Sequence, residues 1–269
     1  MLMAARRVTA LVLVGAVALL SATACGADSS ILGKDSLVIG VKPDQPGLGM
    51  KKAEGEFVGF DVDVAAYIAG KLGKNARFVE TPSSVREKVL MDGSVDLVVA
   101  TYSITPERKT KVAFGGPYYV AHQDTLVRGT ESAVDNVRDL KGRKLCQVTG
   151  SNSWRRVKEE RKIAVKLVEA ASYSECVSGL TAGRVDAVST DDLILAGFAT
   201  ADLKIVNAPF TDERYGVGIQ AGDLDGCEAV NKAITEMYQD GTAKKLLEKW
   251  FGKSGLALTF TVPQFEGCG

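Results

Sequence analysis

Arg108 is the residue in this 269-residue chain whose type and setting point most directly to chemistry. A guanidinium presents two parallel donors to a carboxylate. Thr105-Pro106 just before it reads as an N-cap followed by proline at the first helical position. Read alone, the same arginine fits a solvated surface position. Other chemistries lack their residues: there is no Ser/His/Asp set, no CxxC, and the single histidine, His122, is far in sequence from every cysteine. No metal or other cofactor is expected. The formal net charge is zero, and no basic tract could follow a phosphate backbone, so nucleic acid is not an expected partner.

The elements that must position such a residue repeat within the chain. Met91-Asp-Gly-Ser-Val-Asp-Leu-Val-Val-Ala-Thr101 and Thr181-Ala-Gly-Arg-Val-Asp-Ala-Val-Ser-Thr-Asp191 both read as helix end, glycine, strand, polar loop. Gly93 and Gly183 suit the left-handed position that closes a helix, and each Val-Asp-x-Val run reads as a short buried strand. Leu37–Lys42 and Lys144–Thr149 correspond in the same way, each a strand running into a loop. Strand, helix, strand, helix, strand in both halves predicts two α/β lobes. Ligands bind beyond the carboxyl ends of strands in open α/β sheets, which selects 42–50, 101–105, 149–153 and 190–192 as facing site loops. Two extended segments, 118–127 and 215–220, would connect the lobes as a hinge. The first lobe is then 36–124 plus 216–269, and the second 125–215.

Residues 1–25 combine Arg6 and Arg7, an apolar run from Val8 to Leu20, and Ser21-Ala-Thr-Ala-Cys25. That is a lipoprotein signal peptide, with cleavage before Cys25, acylation of its thiol and a polar tether over 26–35. Extracytoplasmic localisation on the cell membrane follows. About 230 residues remain after the tether, enough for two small lobes. The other cysteines, Cys146, Cys176, Cys227 and Cys268, form an even set in an exported chain, where disulfides persist. Three connectivities are open. Cys146 with Cys176 and Cys227 with Cys268 is favoured because each pair lies within one lobe, and buried free thiols are the alternative.

Gly59-Phe-Asp-Val-Asp-Val64, Ile104-Thr-Pro-Glu-Arg108 and Phe114-Gly-Gly-Pro-Tyr-Tyr119 together resemble the family 3 extracellular solute-binding proteins, the polar amino-acid receptors of ABC importers. Asp44–Gly49 and Tyr173–Cys176 are similar to the glutamate-binding lipoproteins of actinobacterial type within that family. The resemblance implies the two-lobe, type II periplasmic-binding-protein-like α/β fold with its ligand cleft between the lobes. Within the signature, Asp61 and Asp63 read as helix-start residues with capping and folding roles. Trp154, Trp250 and Phe251 read as packing residues.

A free amino acid needs a bidentate cation for its α-carboxylate and a carboxylate for its ammonium. The resemblance places the carboxylate clamp on Arg108, a backbone carbonyl and a hydroxyl on Thr101 and Ser103, and a second-lobe turn of amides and a hydroxyl on Gly150-Ser151-Asn152, an anion-binding nest. It places the ammonium-binding carboxylate on Asp191, with Asp192 the second choice. Where relatives often carry an acid and a stacking aromatic, this chain has Lys42-Pro-Asp-Gln45. Lys42 could neutralise a distal carboxylate, with Gly47 and Gly49 letting amides approach, which favours glutamate, then aspartate. Pairing of Lys42 with Asp44, or glutamine as ligand, remain the alternatives.

The expected function is capture of an acidic amino acid and its delivery by a monomer to ABC permease subunits, without catalysis. Two readings compete. One is a cyclohexadienyl dehydratase-like enzyme using Asp191 or Glu213 as acid, and the other is a sensor that signals to a membrane partner.

Overall fold

The computed structural model describes residues 30–268; the expected signal peptide and the expected acylation site Cys25 lie outside them. β1 (Ser36–Val41) leads through three short strands, β2 (Asp44–Gln45), β3 (Gly49–Lys51) and β4 (Phe57–Val58), into α1 (Phe60–Lys71) and β5 (Asn75–Glu80). α2 (Arg86–Met91), β6 (Leu97–Val98) and α3 (Pro106–Lys109) precede the long β7 (Ala113–Arg128). β8 (Lys144–Val148), α4 (Ser153–Arg155), β9 (Lys166–Ala170), α5 (Tyr173–Thr181), β10 (Val188–Asp191), α6 (Asp192–Phe198) and β11 (Leu203–Ile205) follow. The chain returns along β12 (Thr211–Ile219) and ends with α7 (Leu224–Gln239), α8 (Thr242–Phe251) and a tail.

Both halves follow the repeat. β1 pairs in parallel with β5 and β6, and β8 pairs in parallel with β9. Gly93 and Gly183, just past the ends of α2 and α5, have φ of 71° and 72°, the left-handed conformation that glycine adopts without a Cβ penalty. The aspartates of the two Val-Asp-x-Val runs are also equivalent. Asp96 Oδ2 accepts from Val38 N at 2.7 Å, and Asp186 Oδ2 accepts from Lys144 N at 2.8 Å. Each carboxylate thus ties the third strand of its half to the first.

The two connecting segments are full strands that pair with each other. β7 and β12 run antiparallel from Thr211↔Gln123 to Ile219↔Ala113, with an irregularity between Tyr215 and Val217. They belong to one seven-stranded sheet, ordered β10-β7-β12-β6-β1-β5 with β11 on β7. A continuous sheet therefore crosses from one lobe to the other, while β8 and β9 form a separate two-stranded sheet in the second.

Packing follows the sequence expectations for the aromatic residues. Phe60 at the start of α1 is buried against Tyr118, Tyr119 and Phe251, a burial that contributes about 1.5–3 kcal/mol for such a side chain. Trp250 Nε1 donates to Asp63 at 2.7 Å, and Trp154 packs on the second-lobe cluster around Leu145 and Val157. The disulfides are Cys146–Cys176, joining β8 to α5, and Cys227–Cys268, joining α7 to the tail.

The start of the described chain is docked. Ser30 Oγ and Ile31 N donate to the two carboxylate oxygens of Asp223 at 2.8 and 2.9 Å, and Ile31 is buried. The segment expected as tether through residue 35 is thus held on the N-terminus of α7 from Ser30 onward. No helix among the described residues is long and apolar enough to cross a membrane.

Candidate functional site

The loop after β6 is set by a buried carboxylate. Thr101 has φ of 44°, which a non-glycine residue adopts only when its surroundings impose it. Asp61 Oδ2 accepts its N–H at 2.8 Å, Arg86 Nη1 donates to its carbonyl at 3.1 Å, and its hydroxyl donates to Gln45 Oε1 at 3.1 Å. Asp61 Oδ1 accepts from Tyr118 Oη at 2.7 Å. Burial pushes the Asp61 carboxyl up to about 7, against the pull of these donors and of Lys42 and Arg86. No side-chain cap of α1 is formed, so Asp61 acts on the ligand loop rather than on its own helix.

Further along, Ile104 N donates to Arg214 O at 2.8 Å and Gly216 N donates to Tyr102 O at 2.9 Å, which fastens Ser103 to β12. Thr105 caps α3, accepting from Arg108 N at 3.3 Å, with Pro106 at the first helical position as the sequence predicts. That cap turns Arg108 inward. The guanidinium is buried, donates to Ser103 O at 2.7 Å and to Gly150 O at 3.1 Å, and lies 3.3 Å from Glu87.

On the facing lobe, Ser151, Ser153, Tyr173 and Thr190 share a hydroxyl network with contacts of 2.7–3.2 Å. Gly150 has φ of 79°, and a Cβ there would sit 2.4 Å from Ser83 O, so only glycine permits this approach. Its turn departs from the expected nest: Ser151 N–H is used by Val148 O, and the Gly150 carbonyl, not its amide, meets the arginines. Asn152 donates to Glu213 at 3.3 Å, and Glu213 is also held by Arg156 at 2.8 Å. Asp191, at the end of β10, accepts from Tyr215 Oη at 2.7 Å. Burial first, then Glu213, pushes its carboxyl well above the usual carboxylate range.

Thr101, Ser103, Ser151, Asn152 and Asp191 line one cavity between the lobes. Arg108 is not on its wall; it stands behind Ser103, which lines the cavity, and bonds across to Gly150. The lobes are drawn so close that the cavity measures about 10 Å³, room for a single water. An amino acid therefore enters only when they part.

Lys42 is placed differently from the others. Its Nζ donates to Ser83 Oγ at 2.5 Å, one layer behind the cavity wall, and Asp44 is not its hydrogen-bond partner. Burial, then Arg86, pushes its ammonium pKa well down. Gly49 serves packing of that loop, since a Cβ there would lie 2.6 Å from Lys42 O, and Gly47 lies against Phe251.

Ser83, Arg86, Tyr173 and Ile194 also line the cavity and were missed by sequence reasoning, Arg86 being the charged one. Arg86 is buried and donates to Ala100 O, Thr101 O and Gly150 O at 3.0–3.1 Å, while its Nε has no hydrogen-bond partner among the described residues. Burial and then Arg108 push its pKa down to about 10. Within an amphipathic helical run, nothing in the spacing of Arg86 set it apart. Among the described residues no group of three or more His, Cys, Asp and Glu could hold a metal ion.

Known proteins resemble this chain along most of its length. It is 37% identical to the glutamate-binding protein GluB of Corynebacterium glutamicum over 93% of both chains. It is 33% identical to the ABC transporter glutamine-binding protein GlnH of Bacillus subtilis, over 91% of this chain and 97% of that one. Among solved structures, an ancestral arginine-binding protein bound to arginine superposes with a TM-score of 0.76 at 36% identity, covering 81% of this chain and 99% of the other. Residues 37–253 match the family model described as bacterial extracellular solute-binding proteins, family 3. With the two-lobe fold, the signature at Gly59–Val64 and this match in agreement, the chain belongs to that family.

Proposed function

We propose that the protein is the extracytoplasmic, lipid-anchored receptor of an ABC importer for an acidic amino acid, glutamate foremost, then aspartate or glutamine. The observation that carries this reading is a pair of neighbouring buried guanidiniums, Arg86 on the cavity wall and Arg108 directly behind it, bonded to the lining residue Ser103. Arg108 suits the α-carboxylate, and Arg86, with an unpartnered Nε on the cavity wall, suits the distal one. Asp191 supplies the opposite charge for the ammonium. The similarity to GluB supports glutamate, while that to GlnH keeps glutamine in the comparison.

The proposed cycle follows from the fold. With the lobes parted, Arg108 and the 101–103 loop of the first lobe (36–124 with 216–269) take the amino acid. Closure brings Ser151, Asn152 and Asp191 of the second lobe (125–215) over it and excludes water, and the closed form docks on the permease. Acylated Cys25 holds the protein at the membrane; incorporation of labelled palmitate, lost in Cys25→Ser, tests that part.

The central test uses protein from Ala27 onward, unfolded and refolded to remove carried ligand. It is titrated calorimetrically with glutamate, aspartate, glutamine and arginine. Glutamate is expected to bind most tightly. Tightest binding of arginine, or turnover of prephenate or arogenate, would overturn the reading.

A further inference from the structure

Tyr215 stands on β12 where the two lobes meet, and it touches both halves of the site. Its backbone bridges to Ser103, and its neighbours Arg214 and Gly216 bond to Ile104 and Tyr102. Its side chain reaches the end of β10 and donates to Asp191 Oδ2 at 2.7 Å, with the ring fully buried and tilted against Tyr118, 5.9 Å between centroids. One residue therefore fixes the loop that leads to Arg108 and the carboxylate across the cleft.

The second observation is chemical. Among the described residues Asp191 has Tyr215 as its sole side-chain hydrogen-bond donor, and a phenol donates to a carboxylate without neutralising it. The other carboxylate oxygen stays available to a second donor. A phenol in this place orients Asp191 and favours its ionised form against the effect of burial.

We propose that Tyr215 is a positioning residue for amino-acid capture: its hydroxyl orients Asp191 toward the α-ammonium while its backbone holds the Ser103 loop in register with it. The inference rests on the reading of Asp191 as the ammonium partner. The charges around Asp191 define what its loss would do. Burial first, then Glu213 on β12 and Asp192 at the start of α6, favour the protonated carboxyl, and the Tyr215 hydrogen bond and Arg108 of α3 oppose them. Glu213 is itself paired with Arg156, His122 of β7 faces Asp192, and Tyr173 of α5 faces Asp191. Removing the hydroxyl moves the balance further toward protonation.

The test is calorimetric titration with glutamate from pH 5 to 9 for the wild type and Tyr215→Phe. The expected result is about a tenfold loss of affinity near neutral pH and an acid limb of the affinity profile displaced upward by about one pH unit. A purely structural role would lower affinity equally at every pH, and that outcome, or an unchanged profile, overturns the inference. Wild-type protein that binds no amino acid overturns the functional reading, and the inference with it. If Tyr215→Phe does not fold, replacement of Tyr215 by 3-fluorotyrosine keeps the shape and strengthens the donor. The acid limb must then move downward, and an unmoved limb overturns the inference.

Discussion

Arg86 and Arg108 share two partners. Both guanidiniums lie against the ring of Tyr102, at 4.5 and 4.9 Å from its centroid, and both donate to Gly150 O at 3.1 Å. Two buried like charges at such proximity repel. The aromatic face and the carbonyl offset part of that repulsion, and two carboxylates of one ligand would offset it further. Arg108→Ala is therefore expected to weaken glutamate binding by about 2–5 kcal/mol. Calorimetry on a variant with unchanged melting temperature checks it.

Specificity separates the two basic residues near the distal end. Arg86→Gln should reduce the preference for glutamate over glutamine by about tenfold or more, because one desolvated cation is removed from the cavity wall. Lys42→Met, behind Ser83, should leave that preference nearly intact. Competition titrations of both variants decide the matter, and loss of preference in the lysine variant alone would reassign the role.

Asp61 makes stability depend on pH. Its folded-state carboxyl, near 7, holds a proton more tightly than an unfolded carboxylate near 4. Its contribution is complete below about pH 4 and drains away as pH rises through about 7, by about 1.4 kcal/mol per unit within that window. Asp61→Asn should flatten this part of the profile. Thermal melts of both proteins between pH 4 and 8 measure the difference.

Lobe closure depends on Gly197 of α6. A Cβ there would lie 2.1 Å from Pro46 O on the other side of the cleft. Gly197→Ala is expected to cost about 1–3 kcal/mol of closure and to weaken ligand binding by that amount. The melting temperature without ligand should stay unchanged, since the parted form lacks the contact.

Each disulfide closes a substantial loop, 30 residues for Cys146–Cys176 and 41 for Cys227–Cys268. Constraint of the unfolded chain gives about 3–4 kcal/mol for loops of this size. Paired Cys→Ser replacement of either bridge should lower the midpoint of urea unfolding correspondingly.

Much of this architecture was legible because backbone chemistry marks it. Gly93 and Gly183 occupy conformations that glycine favours, and Thr105-Pro106 caps a helix as such pairs do. Both leave a trace in residue type alone. The loops that meet in the cavity follow from strand order. Arg86, Tyr173 and Tyr215 left no such trace, because an arginine or tyrosine in a helical run, or a tyrosine in a strand, reads as surface or core. Their roles arise only when β12 and α5 bring distant chain segments within hydrogen-bond reach. Lys42 shows the converse: its position beside a site loop was readable, and its partner Ser83, 41 residues away, was not.

The docking of Ser30 and Ile31 on Asp223 has a consequence for how an acylated Cys25 would operate. Five peptide units separate Cys25 from Ser30, a reach of at most about 18 Å when fully extended. A receptor on so short a leash searches in the plane of the bilayer rather than through the surrounding volume. Its encounter with a permease would then be governed by surface density and lateral diffusion, at an effective concentration that dilution of the medium would not lower.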